Sequence, residues 1–132
     1  MLPEARALRH RGPLALRDLA DDRWIAGCVR CRRHLVSACA RSGFAPATSF
    51  ETDNAAAAVG MVQAGLGVAL LPSLALATAP LPRGVVRRRI SGVGERVVHV
   101  VTAPGGSASP AVHASVQALA RLRVGDWELR RA

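Results

Sequence analysis

The chain has no tyrosine, two tryptophans and two phenylalanines, so aromatics make up 3% of its 132 residues. A core must therefore be built from Ala, Val and Leu. No apolar run approaches the about 18 residues that a membrane-spanning helix needs. The opening residues, MLPEARALRHRG, lack the apolar segment of a signal peptide. These absences point to a cytoplasmic protein with its three cysteines reduced. Lysine is missing as well. All 18 basic residues are Arg, set against nine acidic ones, for a net charge of +9. That balance admits a surface for nucleic acid or an acidic partner. Apart from Arg87-Arg88-Arg89 the arginines are scattered, and Ala and Gly are abundant. Drift toward G+C-rich codons explains this more simply than a binding face.

Catalytic signatures are also absent. There is no nucleophile elbow, Walker loop or dinucleotide fingerprint. Gly65-x-Gly67 lies between helix and strand patterns, the wrong end for cradling phosphate at a helix N-terminus. His99 reads as a strand histidine, and His113 and Ser115 have no acidic partner in the pattern. The chain reads as a non-enzyme that needs no cofactor.

The apolar content, 50% of residues with a mean hydropathy of +0.20, suffices for one domain. The most informative run is Glu51 to Pro72, ETDNAAAAVGMVQAGLGVALLP. Thr52, Asp53 and Asn54 are good N-cap residues. Apolar positions 55, 58, 59 and 62 form one helical face. Gly65 suits a left-handed helix stop. Leu66 to Leu71 is short, apolar and bounded by Gly and Pro, as in a strand buried on both faces. Pro72 fits the first turn of another helix. Helix, glycine turn and buried strand make half of a parallel β-α-β unit.

The other segments follow the same alternation. Residues 1–13 are basic and broken by Pro3, Gly12 and Pro13, which reads as a loose arm. Leu16 to Ala20 suits a helical turn and Arg23 to Ala26 a strand. Cys28 to Ser42 suits a helix stopped by Gly43, with 28, 31, 35, 38, 39 and 42 on one stripe. Thr48 to Glu51 reads as a strand, Ser73 to Thr78 as a short helix and 79–82 as a loop. Val85 to Ile90 and Val97 to Val101 read as strands, 104–110 as a loop, Ala111 to Leu122 as a helix and 124–132 as a charged tail. Strands alternating with helices predict an α/β fold with a mainly parallel sheet and flanking helices.

The spacing Cys28-x2-Cys31-x2-His34-x4-Cys39 invites a zinc reading, which fails on geometry. On one helix Cys28 and Cys39 stand ~16 Å apart at 1.5 Å per residue, too far to share an ion, so no metal site is expected. The cysteines sit instead on the apolar stripe, where a thiol packs as a small hydrophobe.

Ligand chemistry is better placed at the carboxyl ends of the strands, where helix N-termini present N–H groups and a positive dipole end. Three such turns occur: Ala26-Gly27-Cys28, Thr52-Asp53-Asn54 and Leu71-Pro72-Ser73. The candidate residues are Thr52 and Asn54, then Gly27, with Cys28, Asp53 and Pro72 beside them. The bland alternative is that Thr52 or Asp53 only caps its helix, and Asp53 repels an anion unless its charge serves the cap.

The run from the Thr/acidic cap to VxAGxGVALLP, carried by Val62, Gly65, Gly67 and Pro72, resembles the effector-binding domain of LysR-type transcriptional regulators. LRDLADDRWIAG (Leu16 to Gly27), Gly43-Phe44-Ala45-Pro46, Phe50-Glu51-Thr52 and Gly84-Val85-Val86 follow in that family's order, over about Leu16 to Leu122. The resemblance implies one lobe of a type 2 periplasmic-binding-protein-like fold plus a remnant of the other. Residues 1–22 would be an arm from the first lobe, 23–91 the effector-binding lobe, 92–124 a strand and helix of the first lobe, and 125–132 a tail. It implies a small, anionic metabolite as effector, a homo-oligomer, and no membrane partner. The winged helix-turn-helix and the first half of the effector domain have no counterpart here. DNA would then be contacted only through a helix-turn-helix outside this chain. Two alternatives stay open: a basic α/β module that binds nucleic acid or a protein through its Arg clusters, with steep salt dependence, and a truncated remnant without a ligand.

Overall fold

A computed structural model of the chain describes residues 1–9, 12–77, 81–105, 109–127 and 129. Its elements in order are β1 (Leu2–Pro3), α1 (Glu4–Ala7), β2 (Leu14–Ala15), a 3-10 turn (Leu16–Leu19), β3 (Arg23–Ala26), α2 (Val29–Arg41), β4 (Ala47–Glu51), α3 (Ala55–Gln63), β5 (Val68–Ala69), α4 (Ser73–Ala77), β6 (Val85–Val86), β7 (Ile90–Ser91), α5 (Pro110–Arg121) and a second 3-10 turn (Val124–Trp127). They fall into two compact units, Met1–Glu95 and Arg96–Ala132.

The first unit is built on a parallel sheet of order β4-β3-β5. Strand β3 lies in the middle, with Ile25 opposite Phe50 on one side and Ala69 on the other. Its successive side chains point to opposite faces. Trp24 and Ala26 join a core with Leu35, Ala38 and Cys39 of α2. Ile25 joins a second core with Ala58 and Val62 of α3. Helices α2 and α3 therefore cover opposite faces. That is what two right-handed crossovers leading to opposite edges of the sheet require. Trp24 stacks obliquely near Phe44, with ring centroids 6.5 Å apart. Its indole N–H is buried with no partner among the described residues, at a cost of about 1–3 kcal/mol.

Both crossover helices end in the same hydrogen-bonded stop. After α3, Gly65 N–H donates to Val62 O and Leu66 N–H to Met61 O. After α2, Gly43 N–H donates to Ala40 O and Phe44 N–H to Cys39 O. These pairs define the Schellman motif, whose left-handed residue is glycine here, with φ of 73° at Gly65 and 85° at Gly43. Gly67 is needed for a different reason. A Cβ there would stand 2.5 Å from Arg23 O, so only glycine lets β5 close against β3.

The opening residues are packed, contrary to the loose arm expected. Met1 and Ala69 exchange two backbone hydrogen bonds, β1 pairs antiparallel with β6, and Leu2 is fully buried. Arg6 holds Asp22 through Nε and Nη2 and donates to Asp18 O. Two-residue strands leave no periodicity to read, and the partner of β1 lies 82 to 84 positions away and that of β2 76 positions away. The expected strand Val85 to Ile90 is split into β6 and β7, with the three arginines between them. Strand β7 pairs parallel with β2.

In the second unit α5 forms as expected. Val97 to Val101 joins no ladder among the described residues, and its valines are 56–86% exposed. Valine-rich composition favours a strand only when a partner supplies the hydrogen bonds. Residues 78–80 and 106–108, parts of the expected helix and loops, lie outside the described residues, as do 128 and 130–132 of the tail.

Two outcomes follow. Gly67→Ala should lower stability by about 1–3 kcal/mol as β5 is forced off β3, read from the urea midpoint. Burial lowers the Met1 amino group from 8.0 to about 6. Below pH 8 the unfolded chain takes up a proton that the folded chain does not. Stability should therefore fall between pH 8 and pH 6 by about 2–3 kcal/mol and flatten below. Acetylating the terminus removes the titration, so the two forms should differ in slope across that window.

Candidate functional site

The adjacent strands β3 and β4 lead into helices α2 and α3 on opposite faces, so the carboxyl ends of β3 and β4 flank the position where open α/β sheets bind ligands. The turn after β3 is held to the turn after β4, because Thr52 N–H donates to Ala26 O at 3.0 Å. Gly27 lies at their junction. A Cβ on Gly27 would stand 2.8 Å from Cys31 Cβ and 4.0 Å from Thr52 O. Gly27 thus lets the first turn of α2 sit against the strand. Pro72 follows β5 at the same end of the sheet, half-buried, and its carbonyl accepts from Ala75 N–H at 3.0 Å in α4. Of the candidates, Gly27, Cys28 and Thr52 are brought together directly.

The two crossover helices differ at their N-termini. On α3 the cap is Asn54, not Thr52 or Asp53. Its Oδ1 accepts from Ala56 N–H at 2.9 Å and Ala57 N–H at 3.1 Å. Thr52 Oγ1 in turn accepts from Asn54 N–H at 3.2 Å. Asp53 is exposed and takes no part in the cap. Much of the donor capacity of α3 is therefore consumed within its own turn. On α2 the N-cap residue is Cys28, whose side chain makes no capping bond to the first helical N–H groups. Its neighbour in space is Cys31, with the sulfurs 3.3 Å apart.

Charge is arranged around this rim. Arg32 Nε meets Glu51 Oε1 at 2.8 Å, with both side chains half exposed, a pair that contributes at most about 1 kcal/mol. Spacing alone did not join these two residues, because α2 and β4 meet only through the fold. Cys39, the third cysteine of the sequence pattern, is buried in the core, and burial pushes its thiol up to about 11. It is unsuited to chemistry and remote in character from exposed Cys28. Ser115 donates to Ala111 O within its own helix at 2.9 Å.

A groove of about 270 Å³ opens at the other end of the sheet, lined by Arg6, Asp22, Arg23 and Gly65 to Val68 among others. The Arg6–Asp22 ion pair in its lining is closed at 2.9 Å. That groove lies at the amino ends of β3 and β5, away from the helix N-termini.

A parallel β-α-β lobe whose helices α2 and α3 both begin at the strand carboxyl ends is an α/β module. The model of the LysR substrate binding domain matches residues 1–123, and the chain belongs to that family. No curated protein and no solved structure matched. The match includes β1, α1 and β2, which accords with their packing into the first unit. Family membership makes the chain an effector-sensing domain of the kind found in transcription regulators, on one lobe of a periplasmic-binding-protein-like fold. Such domains bind small molecules in a regulatory role. Among the described residues, no helix is long and apolar enough to cross a membrane.

Replacing Asn54 with Ala removes the α3 cap and should destabilise the chain by about 1 kcal/mol. Asp53→Ala, which touches no helical N–H, should leave the denaturation midpoint within about 0.5 kcal/mol of the parent.

Proposed function

We propose that this domain senses a small anionic metabolite, with the carboxylate or similar group seated between the α2 N-terminus and Thr52. The observation that carries this reading is the contrast in capping. The N-cap of α2 makes no side-chain capping bond and follows the carboxyl end of β3, while Thr52 keeps a hydroxyl proton to donate. The positive end of a 13-residue helix favours an anion there. Gly27 keeps the backbone accessible and Pro72 forms the wall after β5. Asn54 contributes by fixing the Thr52 turn, and Asp53 stays outside the anion's reach.

In the same reading, residues 23–91 form the effector-binding lobe and 92–124 belong to the other lobe, with Val97 to Val101 pairing outside this chain. The regulator is cytoplasmic, non-catalytic and oligomeric, and reaches DNA through a helix-turn-helix elsewhere in it.

A thermal-shift screen of carboxylates against their neutral amides tests this directly. A carboxylate at 100 times its Kd should stabilise the protein by about 2.7 kcal/mol. Its amide should not. Thr52→Ala should weaken binding of the selected carboxylate about tenfold, the loss of one charge-assisted hydrogen bond, and leave the ligand-free melt within a degree or two of the parent. Equal stabilisation by acid and amide, or unchanged affinity in Thr52→Ala, would remove the anion from the site.

A further inference from the structure

Two sulfurs stand side by side at the start of α2. Cys28 and Cys31 form a Cys-x-x-Cys motif that opens a 13-residue helix after a parallel strand. In β-α-β surroundings this spacing is suited to thiol–disulfide exchange. The structure adds three observations. The sulfurs are 3.3 Å apart, with Cys28 Sγ donating to Cys31 Sγ. Cys28 is exposed and Cys31 half-buried behind it. Gly27 has no side chain where a Cβ would stand 2.8 Å from Cys31 Cβ and 3.4 Å from its Sγ. The second sulfur is thereby held against the strand–helix turn, close to the first.

We propose that Cys28 and Cys31 are a reversible dithiol–disulfide site, oxidised by exchange with a small-molecule disulfide. Cys28 is the attacking thiol, because it is the one that solvent reaches. Its thiolate attacks one sulfur of the incoming disulfide, forms a mixed disulfide and releases one thiolate, which takes a proton from water. Cys31, once its proton passes to solvent, attacks Cys28 Sγ and expels the second thiolate. Two protein thiols lose two electrons and two protons; the small disulfide becomes two thiols. The sulfurs need approach by only about 1.3 Å to reach a bond length of about 2.05 Å. The positive end of the helix attracts an anionic disulfide. Cys39 takes no part, since the core encloses it. The inference stands on the two sulfurs and does not depend on the identity of the effector.

The full chain is equilibrated without oxygen in mixtures of reduced and oxidised glutathione, quenched with acid and alkylated. Mass spectrometry should find a form lighter by two hydrogens whose share follows the glutathione ratio and vanishes with dithiothreitol. Trypsin, cutting after Arg30, should yield peptides joined through Cys28 and Cys31, with Cys39 alkylated only after unfolding. In Cys31→Ser the reaction should stop at Cys28 bonded to glutathione, with complete loss of the internal bond. The proposal is overturned if the parent chain stops at that mixed disulfide, if the bond maps to Cys39, or if the thiol count stays constant across all mixtures. The mapping in the parent chain decides the matter even if the variant does not fold.

Discussion

Strand β3 is the constraint on which the first unit depends. It is hydrogen-bonded on both edges, and its three buried residues feed two separate cores. Trp24 and Ala26 fix α2 on one face, and Ile25 fixes α3 on the other. A strand so enclosed cannot slip by one residue without exchanging the two cores. Its register therefore sets where α2 and α3 begin. Both begin at the same end of the sheet, and the crevice between strand ends is a consequence of that register. The approach of β5 depends in turn on Gly67, and the β5 edge is covered by Met1 and Leu2 rather than left open.

The same geometry separates two kinds of residue at the rim. Asn54 and Gly27 are structural first: one caps α3, the other makes room for Cys31. Cys28 is exposed beside Cys31, and Thr52 keeps a hydroxyl proton to donate. A regulator needs this combination. Binding must act on elements already held in place, so that a ligand shifts an equilibrium by its differential contacts rather than by ordering a loop. The closed Arg6–Asp22 pair at the opposite end offers little to a ligand, because its charges already answer each other.

Much of this was legible in the sequence, and the parts that were not share a cause. The α2 and α3 helices, their glycine stops and the strand at Arg23 to Ala26 follow from periodicity and capping within a dozen residues. The packed start of the chain did not, because Leu2–Pro3 and Leu14–Ala15 acquire strand character only from Val85–Val86 and Ile90–Ser91. The reverse error occurs at Val97 to Val101, where strand-forming residues join no ladder among the described residues. At the site, the sequence placed Thr52, Asp53 and Asn54 together but could not say which one caps. Three adjacent good N-cap residues compete, and backbone direction chose Asn54. The Cys28–Cys31 contact was present as a spacing and was set aside together with zinc. The same stripe argument that excludes a shared ion with Cys39 leaves the nearer pair intact.

The most direct measurement is the map of backbone amide shifts when a stabilising carboxylate is titrated into the isotope-labelled chain. The largest shifts should fall on Gly27 to Arg30 and Thr52 to Ala55, with smaller ones beside Pro72. Shifts centred on Arg6, Asp22 and Gly65 to Val68 would place the ligand at the amino ends of the strands and contradict it.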